Sequence, residues 1–146
     1  MIQHEVFKLD LSEVTSSMIS RHGWSEDEAQ DAEKLYRNFL FLVSKYSNKT
    51  TLVPSHDIDM YWHEHILFTK KYFKDCDSIF GSYFHHDPSL TADGAGDLRK
   101  LFDNTQELHN KEFGYYIYDV RVSMMQLTKE IFKRYFGKLF KRKQKS

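Results

Sequence analysis

Ser25-Glu-Asp-Glu-Ala-Gln-Asp-Ala-Glu-Lys-Leu-Tyr-Arg-Asn-Phe-Leu-Phe-Leu-Val-Ser-Lys-Tyr46 is the stretch that decides the fold class of this chain. Ser25 followed three residues later by Glu28 forms a capping box, in which side chain and backbone of the two residues satisfy each other's free donors at a helix start. Glu26, Asp27 and Glu28 put negative charge at the positive end of the helix dipole. Beyond them Ala29, Ala32, Leu35, Tyr36, Phe39, Leu40 and Val43 recur at steps of three and four, which predicts a helix with one apolar face running to about Tyr46. Such a face has to be covered by other elements.

The neighbouring segments supply helices for that purpose. Residues 11–21 read as a short helix ended by Gly23, and Ser47–Thr50 as a polar connection. Pro54-Ser55 opens the next helix, with Ser55 as N-cap and Asp57 in the first turn, and the pattern carries it to Cys76 or Asp77. The stretch from Ser78 to Gly96 holds glycine, proline and histidine and reads as an ordered loop. Residues 97–112 form a helix with Leu98, Leu101, Phe102 and Leu108 inward, stopped by Gly114. Tyr115–Tyr118 is a brief extended piece or the approach to a last helix over roughly 120–142. The expected fold is all-α: a compact bundle of about five helices with one long histidine-bearing loop. Residues 1–130 make the helical domain, and residues 131–146 the end of the last helix and a basic tail.

A chain of 146 residues, 40% hydrophobic and 16% aromatic, is one ordinary domain whose core is rich in Phe and Tyr. That composition excludes disorder over most of the length. A single cysteine, Cys76, forms no intramolecular disulfide. The first ten residues carry no basic segment followed by an apolar run, and no apolar stretch approaches the ~18–20 residues that span a bilayer. These features predict a cytoplasmic location. The formal net charge of zero hides an asymmetry: all seven charged residues beyond Glu130 are basic, leaving 14 bases against all 21 acids in residues 1–130.

Chemistry concentrates elsewhere. Five of the eight histidines lie between His56 and His86, in a segment beginning Pro54-Ser-His-Asp-Ile-Asp-Met-Tyr-Trp-His-Glu-His-Ile-Leu67 and ending His85-His86-Asp87-Pro88. Imidazole is the usual neutral nitrogen ligand of metals and the usual acid/base group near neutral pH. At about 100° per residue, His56, Asp59 and His63 fall within a ~60° arc of a helix. Asp59 and His63 are neighbours one turn apart, with Cβ atoms ~5–6 Å apart. His65 lies about 200° from His63 and belongs to packing or a hydrogen bond rather than to the same ion. Cys76 would sit ~16 Å along the axis from His65, which rules out a compact site of those two on an unbroken helix. If the loop folds back, His85 or His86 meets Asp59 and His63, giving two histidines and one carboxylate around a divalent metal, zinc or iron. Trp62, Ile66 and Phe73 read as core. Trp62-His-Glu-His65 has the wrong spacing for a zincin helix, and no Cys-x-x-Cys or phosphate-cradling glycine loop is present.

The same residues resemble a known family. Asp59, Trp62, His63, His65, Tyr72, Cys76, Gly81, His85 and His86 match a pattern of Asp-x-x-Trp-His-x-His, Tyr, Asp-Cys, Gly and a terminal histidine pair, as in the glycine-rich domain-containing protein-like family. Tyr36-Arg-Asn-Phe-Leu40, Thr105 and Phe113-Gly114 are also similar, so the resemblance covers roughly residues 28–114. It implies a shared site rather than a particular reaction. The glycine-rich tract is missing, with six glycines in the whole chain, and roles tied to that tract, RNA-related ones included, are not implied.

Two functional classes follow. In one the chain is a divalent-metal-binding helical domain centred on Asp59, His63 and His85 or His86, with no catalytic residue assigned. In the other it is a non-catalytic interaction module whose His/Asp cluster is a structural network. There Lys133, Arg134, Lys138, Lys141, Arg142 and Lys143, set around the apolar stripe of Ile131, Phe132, Tyr135, Phe136, Leu139 and Phe140, would contact an anionic membrane or nucleic acid. The same pattern also suits a last core helix with a solvated end.

Overall fold

The computed structural model describes residues 2–89 and 97–119. Among them there is no strand, and the helices are α1 (Ile2–Lys8), α2 (Ser12–His22), α3 (Glu26–Tyr46), α4 (His56–Leu67), α5 (Thr69–Phe80) and α6 (Asp97–Phe113). The all-α class read from the sequence holds. The last helix over 120–142, the basic tail and loop residues 90–96 lie outside the described residues.

Helix α3 is the axis of the fold, with α1, α2, α4 and α6 packed on it. Its capping box forms, each of the two bonds between Ser25 and Glu28 measuring 3.1 Å. Its apolar face widens along its length until Phe39, Leu40, Phe41, Leu42 and Val43 are all buried. Each such side chain removed from water contributes about 1.5–3 kcal/mol. Cross-ties fix the neighbours. Arg37 donates to the carbonyls of Val6 and Leu9, 2.9 Å each, holding the end of α1 against α3. Lys45 meets Glu112 at 2.6 Å, and the Thr105 hydroxyl accepts the Val53 N–H at 3.0 Å, holding α6 in place.

The helix expected from Ser55 to Cys76 or Asp77 is two helices. Ser55 caps α4 by accepting the Ile58 N–H, but the chain turns a corner at Phe68 (φ −80°, ψ 68°) and α5 sets off in a new direction. Residues ten apart on an unbroken helix stand ~15 Å apart along the axis. Here Trp62 Nε1–H donates to the Tyr72 hydroxyl at 2.9 Å, and His65 Nε2 reaches Asp75 at 2.8 Å. The corner holds neither proline nor glycine, so contacts between its two arms stabilise it rather than local propensity. The new axis also overturns the reading of Phe73 as core, since its side chain is 62% exposed. Helix α5 packs on α1 and α4 and ends at Gly81, whose φ of 68° is the left-handed conformation that glycine adopts without strain. No helix among the described residues is long and apolar enough to cross a membrane.

Candidate metal centre

Asp59 and His63 stand one turn apart on α4, as helix geometry requires. The segment after Gly81 folds back over them and brings in His86. His86 Nε2 lies 2.6 Å from Asp59 Oδ1 and 2.9 Å from His63 Nε2, and His63 Nε2 lies 3.4 Å from the second Asp59 oxygen. These three residues form the one group among those described whose ligand atoms converge closely enough to hold a metal ion. The Asp59 and His86 side chains are 10% and 9% exposed while that of His63 is 49% exposed, so the cluster is closed on one side and open to solvent on the other.

The returning segment is positioned by the corner. Phe84 stacks on Trp62, with ring centroids 4.8 Å apart and planes 8° apart. The Tyr72 hydroxyl accepts from Trp62 and donates to the Phe84 carbonyl, so one side chain ties α4, α5 and the segment together. His86, two residues further on, then packs its ring on Trp62 at 4.2 Å and points at Asp59. Beyond it the Asp87 carboxylate accepts from the Ser89 backbone and hydroxyl at 3.0 and 2.7 Å, closing a tight turn. His85 is not in the cluster; its ring meets Tyr83 edge-on at 4.7 Å. His56, at the start of α4, is exposed.

His65 faces the interior. With the ring neutral, Nε2–H donates to Asp75 and Nδ1 accepts the Tyr36 hydroxyl proton at 2.7 Å. Burial pushes the Asp75 carboxyl up, but the bonds from His65 and Lys71 outweigh it and hold it below the ordinary carboxylate value. Burial likewise raises the Tyr36 and Tyr72 hydroxyls, which stay protonated, and lifts the Cys76 thiol, which the Tyr72 hydroxyl and Phe84 backbone contact. The histidine-rich segment therefore splits into an open cluster and a buried brace.

Two further polar networks escaped the sequence reading. Glu64, 2% exposed, accepts from the Ser17 hydroxyl, meets His22 at 2.9 Å and lies 3.5 Å from Arg21, tying α2 to α4. Burial raises its pKa, and those partners more than reverse the effect. A polar residue at the position three after Tyr61, on the inward side of α4, was its only sequence signal. His109 on α6 donates Nδ1–H to the Tyr115 carbonyl at 2.8 Å and accepts Asn38 Nδ2–H at Nε2 at 3.1 Å. Burial holds its pKa below the ordinary value, outweighing the Tyr115 bond.

Fold and site together define a small all-α domain that carries a two-histidine, one-carboxylate cluster braced by an aromatic helix corner. Residues 2–100 match the UCP032817-like family, and the chain belongs to it. It is similar to glycine-rich domain-containing protein 1 of Arabidopsis thaliana, 32% identical over 91 residues that make up 58% of this chain and 11% of that protein. It is also similar to glycine-rich domain-containing protein 2 of the same plant, 36% identical over 61 residues, 40% of this chain and 8% of that protein. The chain thus spans about a tenth of the length of these relatives. No solved structure matches it.

Proposed function

We propose that this domain binds a divalent metal ion, zinc or iron, through Asp59, His63 and His86. The observation that carries this reading is the crowding at His86 Nε2. That atom has two close partners, Asp59 Oδ1 and His63 Nε2, but only one proton or one lone pair to offer. A cation shared among the three satisfies them all. The spacing fits, because two nitrogens bound tetrahedrally to zinc at 2.0–2.1 Å lie about 3.3 Å apart, and the nitrogens here stand at 2.9 Å. Two neutral nitrogens and one carboxylate suit a borderline ion such as zinc or ferrous iron.

Three protein ligands leave coordination positions for water or substrate, and a bound ion would supply an acidified water or polarise a ligand oxygen. The chain's own parts have separate tasks. Asp59 offsets charge, the half-exposed His63 leaves the approach open, and Trp62 with Phe84 keeps water from the closed side. The buried free Cys76 accords with a reducing, cytoplasmic location.

A second reading has its own support. Asp59 and His86 already bond at 2.6 Å, so the cluster can act as a latch that fastens the 81–89 segment to α4 without any metal. Elemental analysis of protein purified without chelator or affinity metal separates the two. Near-stoichiometric zinc or iron, lost in a His63→Ala variant that stays folded, supports the metal site. Metal-free wild-type protein, with a sharp loss of thermal stability in a His86→Ala variant that breaks the Asp59–His86 bond, supports the latch.

A further inference from the structure

The segment that delivers His86 has a second side. His86 points at Asp59, while Phe84, His85 and Asp87 line a pocket of about 210 Å³ between the segment and the end of α3. Its other walls are Val43, Leu52, Pro54 and the ring of Trp62, with the side chains of Ser47, Thr50 and Thr51 around them. None of these residues belongs to the three-residue cluster, but Trp62 serves both places, since its ring also packs on His86. We propose that this pocket binds a small single-ring aromatic molecule bearing a hydroxyl group, beside the 84–87 segment and separate from the three-residue cluster.

Size, surface and polarity argue for that class. An apolar cavity of about 150 Å³ takes up benzene, so 210 Å³ accommodates one substituted ring. Trp62 and Phe84, stacked on each other at 4.8 Å, both line the pocket and give it aromatic surface. Such a surface prefers aromatic groups over aliphatic groups of equal size through their quadrupoles. An apolar floor with a few hydroxyl and imidazole groups at the edge is the usual build of a small-molecule site. A larger hollow of about 480 Å³ beside α5 has the opposite character. Its walls are charged, with Lys8 paired to Glu5 at 3.6 Å and Lys71 to Asp75 at 3.0 Å, and Asp10, Lys70 and Lys74 beside them.

The proposal does not depend on metal and is tested in its absence. Isotope-labelled protein in chelator is titrated with p-cresol and followed by amide NMR. Amide shifts confined to residues 43, 47–53, 62 and 84–87, saturating with a dissociation constant of about 0.1–1 mM, are expected. Thr51→Trp places a bulky side chain at an exposed pocket position and should weaken the affinity at least about tenfold with the spectrum otherwise preserved. Cyclohexanol, similar in size but not aromatic, should bind at least about threefold more weakly than p-cresol. Shifts mapping elsewhere, no saturation up to several millimolar, or equal binding of the two probes would overturn the proposal. If Thr51→Trp disturbs folding, the shift map and the probe comparison still decide it. Loss of the metal site alone, as in His63→Ala, leaves p-cresol binding in place, so the two readings fail separately.

Discussion

His65 and Asp75 stand ten residues apart in the chain and meet at 2.8 Å across the corner at Phe68. That bond, with the Trp62–Tyr72 bond beside it, converts one amphipathic stretch into two helices. The corner in turn gives the segment after Gly81 a place to return to, and His86 reaches Asp59 only because it does. The buried half of the histidine motif therefore builds the open half.

Removing His65 should show this as lost stability. His65→Ala leaves the Tyr36 hydroxyl and the Asp75 carboxylate without their shared partner in the core, where His65 is 1% exposed. Lys71 still pairs with Asp75, so the expected loss is that of two buried hydrogen bonds, about 2–4 kcal/mol, read by urea unfolding. A loss below about 1 kcal/mol would mean that the corner stands without this bond.

Tyr72→Phe isolates the positioning role. The ring stays, but the Trp62 N–H and the Phe84 carbonyl lose their bridge. About 1–3 kcal/mol of stability should go. Because the segment bearing His86 is loosened, zinc affinity should fall by about tenfold in a protein that remains folded. Stability lost with zinc affinity intact would show that Tyr72 does not position His86.

Acid sensitivity should appear in two windows. Unfolded His109 takes up a proton near the ordinary value of 6.5, whereas burial delays that uptake in the folded chain. Between the two values the unfolded state binds more protons, so stability is full above 6.5 and declines as pH falls through that window. Asp75 and Glu64, held below their ordinary 3.8 and 4.5, add a second decline at lower pH by the same sign. Melting temperature measured from pH 8 to 3 should show both, and His109→Gln should flatten the first. An unchanged first decline in that variant would assign it to another group.

The sequence made much of this legible because much of it is local. Ser25 and Glu28 announce α3 through a capping box that needs only four residues, and Ser55 announces α4 as a single N-cap. The Asp59–His63 pair follows from helix periodicity alone. The break at Phe68 was hidden because no residue there forbids a helix; Tyr72 and Asp75 reveal it only once their partners ten residues back are known. Between His85 and His86 no local rule chooses. Adjacent residues of an extended segment point to opposite sides, and the Phe84 stack on Trp62 decides which imidazole turns toward α4. The His109 and Glu64 networks went unseen because each joins helices distant in sequence, and a lone buried polar residue has no periodic signature.

Metal binding as proposed requires Asp59, His63 and His86 to be ligands of one ion. Calorimetric titration of metal-free, tag-free protein with zinc tests it most directly, run in parallel on wild type and His86→Ala. The wild type should show one saturable zinc site per chain, and the variant, its far-ultraviolet dichroism still helical, should lose it. Absence of a saturable site in the wild type, or an unchanged isotherm in the variant, would contradict it.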